Sequence, residues 1–197
     1  MLKKIIFLLV LVFGFDGAFA DSVKMDKQMK KSLDIAVAKV LEAFKTQDQK
    51  AIKTLVNKKA GVYIIFRRGI MDEFTHVNYI DFKSPIPEYL PYNHIEKKYY
   101  SLRYKKAPTF SCDSEKWSDW GIIVDVNNRY NALTDIAIAQ KKYNEVNYTT
   151  SEFGIYKNID KQSLKVVATA DDFVFYMILI DGKWYLSILD RVEYCSA

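Results

Sequence analysis

The stretch FVFYMILIDGKWYLSIL at residues 173–189 decides the fold of this chain. Residues 173–180 and 183–189 are rich in β-branched and aromatic side chains, a composition that predicts two strands. Asp181-Gly182 between them predicts a tight turn, because a type I′ turn needs a positive φ at both central residues. The sequence therefore predicts a C-terminal β-hairpin over residues 173–189.

The first strand of this hairpin is apolar on both faces. Alternate side chains of a strand point to opposite sides, so one face carries Phe173, Phe175, Met177 and Leu179, and the other carries Val174, Tyr176, Ile178 and Ile180. A sheet with one face in water shows alternating apolar and polar residues instead. We therefore expect helices on one face and a second layer, a curled continuation of the sheet, a pocket or a partner on the other.

The remaining elements follow from periodicity and from turn-forming residues. Apolar residues at spacings of three and four predict an amphipathic helix over residues 21–46, a shorter helix after Asp48 and a helix over 131–143. Strands are predicted at 61–67, 74–80, 121–126 and 164–170, with 95–106 as a weaker candidate. Three prolines place a loop at 83–93.

Composition excludes several classes of protein. The chain has 197 residues, of which 50% are hydrophobic and 27% charged, so it has enough apolar surface to fold and is not intrinsically disordered. Its length fits one domain. Basic doublets are scattered among acidic residues despite a net charge of +5, so nucleic acid is not an expected partner.

Residues 1–20 have the pattern of a secretory signal peptide. Lys3 and Lys4 precede an apolar run, and Ala18-Phe19-Ala20 supplies small residues before Asp21. The run is too short to span a bilayer as a helix. We therefore expect cleavage after Ala20, a single α+β domain over residues 21–197 with no transmembrane segment, and export to the periplasm or beyond.

Cys112 and Cys195 are the only two cysteines. In an exported protein an even count predicts a disulfide, here closing a loop of about 84 residues. A reactive thiol is the alternative, but the chain has no C-x-x-C motif and only two histidines. No metal site and no cofactor are predicted, since phosphate-binding glycine loops and metal-ligand motifs are absent.

The order of elements resembles the cystatin-like α+β roll of the nuclear-transport-factor-two-like superfamily. The resemblance rests on the helix pair and strand at 26–66 and on the strands at 164–191, which include Ile180-Asp181-Gly182-Lys183-Trp184-Tyr185-Leu186. It implies N-terminal helices packed on a curved antiparallel sheet that encloses an apolar cavity. We look for the cavity at the hairpin, with Phe175, Met177, Trp184 and Leu186 as candidate ligand-binding residues.

Enzymatic members of that superfamily use Asp, Tyr or His residues of the pocket as general acids and bases. In this sequence His76 lies near Asp72, Glu73 and Asp81, and a histidine oriented by a carboxylate is a usual general base. His76 and Asp72 are therefore weak catalytic candidates, and His94 is a weaker one. A surface or structural histidine is the simpler alternative.

Three functional hypotheses remain open. The first is an exported, non-catalytic protein that binds a small amphipathic ligand, or an envelope or host component, through an apolar pocket. The second is an acid–base enzyme of the isomerase or dehydratase type. The third is an interaction protein that forms a homodimer through the two-faced strand.

Overall fold

The computed structural model describes residues 25–92, 95, 101–127, 129–143, 146–192 and 194–195. Its helices are α1 (Lys27–Thr46), α2 (Gln49–Leu55), α3 (Ala132–Lys142) and α4 (Thr150–Gln162). Its strands are β1 (Val62–Arg68), β2 (Met71–Val77), β3 (Arg103–Tyr104), β4 (Phe110–Ser111), β5 (Lys116–Trp117), β6 (Ile122–Asp125), β7 (Ser163–Ala168), β8 (Phe173–Ile180) and β9 (Lys183–Asp190). The α+β class predicted from the sequence is confirmed.

Seven strands form one mixed sheet in the order β2-β1-β9-β8-β7-β6-β3. The sheet is not antiparallel throughout, because β9 runs parallel to β1 and β3 runs parallel to β6. Strands β4 and β5 pair separately as a short antiparallel ribbon. The specific arrangement of a cystatin-like roll stays a prediction.

The C-terminal hairpin forms where the sequence predicted it. Asp181 has a φ of 50° and Gly182 a φ of 76°, as a type I′ turn requires. Farther along β9 the register shifts, and Ser187 is the extra residue, since Leu186 pairs with Met177 and Ile188 with Tyr176. This bulge puts Leu186 and Leu189 in the same core although they are three positions apart.

Each face of the sheet carries its own core. On the first face, α1 and α2 pack over the odd-numbered side chains of β8, with Phe44 and Phe175 fully buried. On the second face, α3 and α4 pack over even-numbered side chains such as Val174 and Tyr176. The second layer expected on the other apolar face of β8 is therefore a pair of helices.

Polar side chains fix where the helices begin. Asp26 accepts a hydrogen bond from the Met29 amide at the start of α1, and Asp48 does the same for two amides of α2. Thr149 and Glu152 form a capping box at the start of α4, a helix that has no counterpart among the predicted elements. Among the helices of the described ranges, none is long and apolar enough to cross a membrane.

Cys112 and Cys195 form a disulfide, as predicted, with their Cα atoms 5.5 Å apart. Cys112 follows β4, and Cys195 lies five residues beyond the end of β9. The bond thus joins the β4–β5 ribbon to the C-terminal segment of the chain.

Candidate functional site

A cavity of about 480 Å³ lies where β8 begins and β9 ends. We call it the C-terminal cavity. Its apolar wall consists of Phe44, Leu90, Phe173, Leu189 and Val192, with Tyr92, Phe110 and Tyr194 adding aromatic rings. Its charged residues are Glu115, Asp172, Asp190 and Arg191, and Cys195 of the disulfide completes the lining.

The disulfide holds an aromatic cluster in the wall of this cavity. Tyr194, next to Cys195, stacks on Phe110 with ring centroids 5.3 Å apart and an interplanar angle of 25°. Trp117 of β5 meets the Tyr194 ring edge-on at 4.9 Å. Its indole N–H donates to the Asp172 carboxylate at 2.7 Å. The ribbon, the C-terminal segment and the start of β8 are therefore joined around the cavity.

Arg191 fixes the opposite wall. Its guanidinium is buried and donates to the backbone carbonyls of Ile86, Leu90 and Pro91, the last two at 2.6 and 2.5 Å. The same group lies 4.4 Å from the centre of the Tyr92 ring. One arginine thus organises the proline-rich segment as a wall, with three of its five N–H donors bound to carbonyl oxygens.

Asp190 is an acidic residue of the cavity wall that lies at the end of β9. Burial raises the pKa of its carboxyl, and the nearby positive charge of Lys165 opposes that shift. The carboxylate accepts a hydrogen bond from the Val192 amide at 3.2 Å. A buried carboxylate with one such bond retains lone pairs that a ligand can use.

Lys165, on the second face of the sheet, stabilises the ionised form of Asp190 through its positive charge. Its ammonium lies 4.8 Å from the Tyr130 ring centre and 5.7 Å from the Tyr176 ring centre. Burial lowers the pKa of Lys165, while the charges of Asp190 and Asp125 act in the opposite direction. Lys165 does not line the C-terminal cavity, so its effect on a ligand there is indirect.

The Tyr92 hydroxyl is buried and has no hydrogen-bond partner in the described part of the chain. Among the described residues, no other buried side-chain nitrogen or oxygen atom lacks one. Burial raises the pKa of Tyr92, and the nearby backbone of Ile86 opposes that rise. The contact between the two groups does not have the geometry of a hydrogen bond. An unpaired buried hydroxyl is costly, so a polar partner at this point would be stabilising.

The catalytic candidates His76 and Asp72 both lie on β2, at one edge of the sheet. His76 is exposed, lies 2.8 Å from the Ala60 carbonyl through Nε2, and packs on the Tyr63 ring at 4.6 Å. Asp72 pairs with Arg67 at 2.7 Å. The structure does not bring the two candidates together, and neither lines the C-terminal cavity. His94 lies outside the described residues.

The four predicted ligand-binding residues lie in the first core. Phe175, Met177 and Leu186 are fully buried, and the exposed fraction of Trp184 is 4%. The Trp184 indole N–H donates to the Ser32 hydroxyl of α1 at 3.0 Å. They pack between sheet and helix, and none of them lines the C-terminal cavity.

Sequence reasoning missed Asp190, Arg191 and Tyr92, although they shape the cavity. The one available signal is the abrupt change from an apolar strand to the charged pair Asp190-Arg191. No group of His, Cys, Asp or Glu residues in the described ranges has the arrangement of a metal site. The candidate site is therefore a cavity of aromatic, apolar and acidic side chains.

Comparisons of the chain with protein-family models, with curated proteins and with solved structures found no significant match. The fold and cavity define a disulfide-linked α+β protein with a mixed seven-stranded sheet between two helix layers.

Proposed function

We propose that this chain is an exported protein that binds a small amphipathic molecule in the C-terminal cavity without transforming it. The observation that carries the proposal is the cavity itself. Its volume of about 480 Å³ falls within the range of small-molecule sites, and its wall combines apolar and aromatic side chains with polar groups that can orient a ligand.

The geometry of the wall supports binding at this place. Tyr194, Phe110 and Trp117 are packed on one another next to a covalent bond, so they are ordered before a ligand arrives. Arg191 fixes the opposite wall through three backbone carbonyls. A preformed wall lowers the entropic cost of binding.

Two features support export. Residues 1–20 have the charged, apolar and small-residue regions of a signal peptide. The Cys112–Cys195 bond is of a type that persists in oxidising compartments and is rare in the cytosol. We therefore place the mature protein in the periplasm or outside the cell.

An acid–base enzyme of the isomerase or dehydratase type is the second candidate, and Asp190 is the observation that favours it. A carboxyl group whose pKa is raised by burial, and which lines a cavity, can act as a proton donor or acceptor. His76, the candidate named from the sequence, is exposed and away from the cavity. The binding hypothesis is preferred because Lys165, the titratable residue whose charge acts most strongly on Asp190, does not line the C-terminal cavity.

The first test is native mass spectrometry of the protein purified from the oxidising compartment. We expect a chain that begins at Asp21, contains one disulfide and carries a bound small molecule. Incubation with the extracted molecule should return it unchanged, whereas conversion to a product would favour the enzyme. Recovery of a chain that retains residues 1–20 would contradict export.

The second test blocks the cavity. Leu90→Trp adds a large ring to the wall, whereas Ile138→Trp makes a comparable change at a residue of α3 that is 52% exposed and outside the cavity. We expect the neutral dye Nile red to bind the native protein and the Ile138→Trp variant, and to bind Leu90→Trp at least about tenfold more weakly. Equal binding by all three proteins would contradict the proposed site.

A further inference from the structure

We infer that the ligand of the C-terminal cavity carries a positively charged amine on an apolar body, as an alkylammonium or arylammonium ion does. This inference rests on the proposed function and specifies its ligand class. Four observations carry it: the balance of charges, the aromatic rings, the Tyr92 hydroxyl and the burial of Asp190.

The charges of the wall are predominantly negative. Glu115, Asp172 and Asp190 contribute carboxylates, against the single guanidinium of Arg191. Three of the five N–H donors of that guanidinium are used by backbone carbonyls, so the three carboxylates are the larger charge of the wall. Electrostatic complementarity therefore favours a cation and disfavours fatty acids, sulfates and phosphates.

The aromatic rings favour the same class of ligand. Ring faces attract cations, and Arg191 already uses one face of Tyr92 in this way at 4.4 Å. Phe110 and Tyr194 line the cavity as well. An ammonium group next to these rings keeps its attached methylene groups in contact with the apolar wall, which a smaller inorganic cation cannot do.

The Tyr92 hydroxyl points to a ligand with N–H donors. It is buried in the wall and has no hydrogen-bond partner within the described residues. Once the wall adjusts around a bound ligand, the Tyr92 oxygen can accept a hydrogen bond from a primary ammonium group, which has three donors. The geometry thus favours a primary amine over a quaternary ammonium ion, which has none.

Asp190 supplies one of the carboxylates that an ammonium group would meet in the cavity. Its carboxyl is buried, with the Val192 amide as its hydrogen-bond donor. Burial of a carboxylate is unfavourable unless an opposite charge compensates it. Lys165 compensates part of this charge from outside the cavity, and an ammonium ligand adds a positive charge on the cavity side, which a neutral ligand does not.

The test compares three ligands that share one tail and differ in the head group. Octylammonium, octyl sulfate and octanol are titrated, below micelle-forming concentrations, against the native disulfide-bonded protein loaded with Nile red. We expect octylammonium to displace the dye at about tenfold lower concentration than octanol, and octyl sulfate to be the weakest of the three.

Matched variants test whether the preference for octylammonium arises in the C-terminal cavity. Asp172→Asn and Asp190→Asn each remove one negative charge from the wall while they keep an amide oxygen for the Trp117 and Val192 donors. Asp181→Asn removes a charge outside the cavity at a residue with a similar positive φ, 50° against 48° for Asp172. We expect the two cavity variants to lose most of the preference for octylammonium and the control to keep it.

Each outcome separates the ligand class from the proposed function. Equal displacement by all three head groups, or a preference for octyl sulfate, would overturn the amine inference and leave the binding function standing. Nile red that does not bind the native protein would overturn the proposed function itself. An ammonium preference that Asp172→Asn and Asp190→Asn both leave unchanged would also overturn the assignment to this cavity.

Discussion

The Asp160 carboxylate at the end of α4 caps α3 through Thr134. It accepts the Thr134 amide at 2.9 Å and the Thr134 hydroxyl at 2.7 Å, and also the Leu133 amide at 3.1 Å. Asn131, the residue at the cap position of α3 itself, makes no side-chain capping bond. A residue distant in sequence thus satisfies the free amides at this helix terminus.

Replacement of Asp160 should therefore cost more than the loss of an ordinary cap. We expect Asp160→Ala to lower the free energy of unfolding by about 2–4 kcal/mol, because buried donors of Leu133 and Thr134 lose their acceptor. Asp26→Ala, at the exposed cap of α1, should cost about 1 kcal/mol. Urea denaturation of both variants measures the difference, and equal losses would contradict the role of Asp160.

Glu152 should make α4 sensitive to acid. Its hydrogen bonds with the Thr149 amide and hydroxyl lower its pKa below the unfolded value of 4.5. Because its pKa is lower in the folded state, ionised Glu152 stabilises the fold above pH 4.5. This contribution is lost as the pH falls through the folded-state pKa. The native protein should therefore lose stability on acidification through this group.

The Glu152→Gln variant tests this pH dependence. Glutamine can form the capping box but does not titrate, so the variant should lose less stability than the native protein between neutral pH and about pH 3. Glu88→Gln, at an exposed residue of the 83–91 segment, makes the same change of charge away from a helix cap. Thermal melts at several pH values measure the loss of stability in each protein. An equal loss with pH in the native protein and in Glu152→Gln would refute the expectation.

Reduction of the disulfide should destabilise the protein strongly. Cys112 and Cys195 are separated by 83 positions, and loop closure of that length corresponds to about 4–5 kcal/mol in the chain-entropy model. Because Cys195 also lines the C-terminal cavity, reduction should weaken Nile red binding. Denaturation with and without dithiothreitol measures the loss of stability, and Nile red titration under the same two conditions measures the loss of binding. The Cys112→Ser/Cys195→Ser double variant should not respond to the reductant.

Gly61 and Gly69 form a matched pair for testing the β1–β2 hairpin. Both have a positive φ, 66° and 62°, but a Cβ at Gly61 would lie 2.6 Å from the Val77 carbonyl, whereas one at Gly69 would meet nothing within 4 Å. We expect Gly69→Ala to cost about 1 kcal/mol and Gly61→Ala about 3 kcal/mol or more. Similar losses in chemical denaturation would show that the close approach at Gly61 is unimportant.

Local features of the fold could be predicted from the sequence, and long-range ones could not. The hairpin at 173–189 was predictable because strand composition and an Asp-Gly turn are adjacent in the chain. Helix α4 was missed because Gly154 and the exposed Ile155 interrupt its apolar pattern, although Thr149 and Glu152 carried the capping-box signal. The parallel pairing of β1 with β9 has no local signature.

The candidate site was harder to predict for the same reason. The cavity combines Phe44 of α1, Tyr92 of the proline-rich segment, Phe110 of β4 and Asp190 of β9. No spacing rule relates residues from four separate parts of the chain. Trp184 is a ligand-binding candidate because the resemblance to the cystatin-like roll implies a cavity at the hairpin, whereas in the structure its indole N–H donates to Ser32 of α1.

The position of β9 determines the order in which the chain can fold. β9 lies in the interior of the sheet, where Tyr63 of β1 pairs with Ile188 about 125 residues later. Among the strands of the described ranges, the hairpin of β1 and β2 has no other neighbour in the sheet until β9 has left the ribosome. A nascent chain of this protein should therefore complete its seven-stranded sheet only once β9 has emerged from the ribosome.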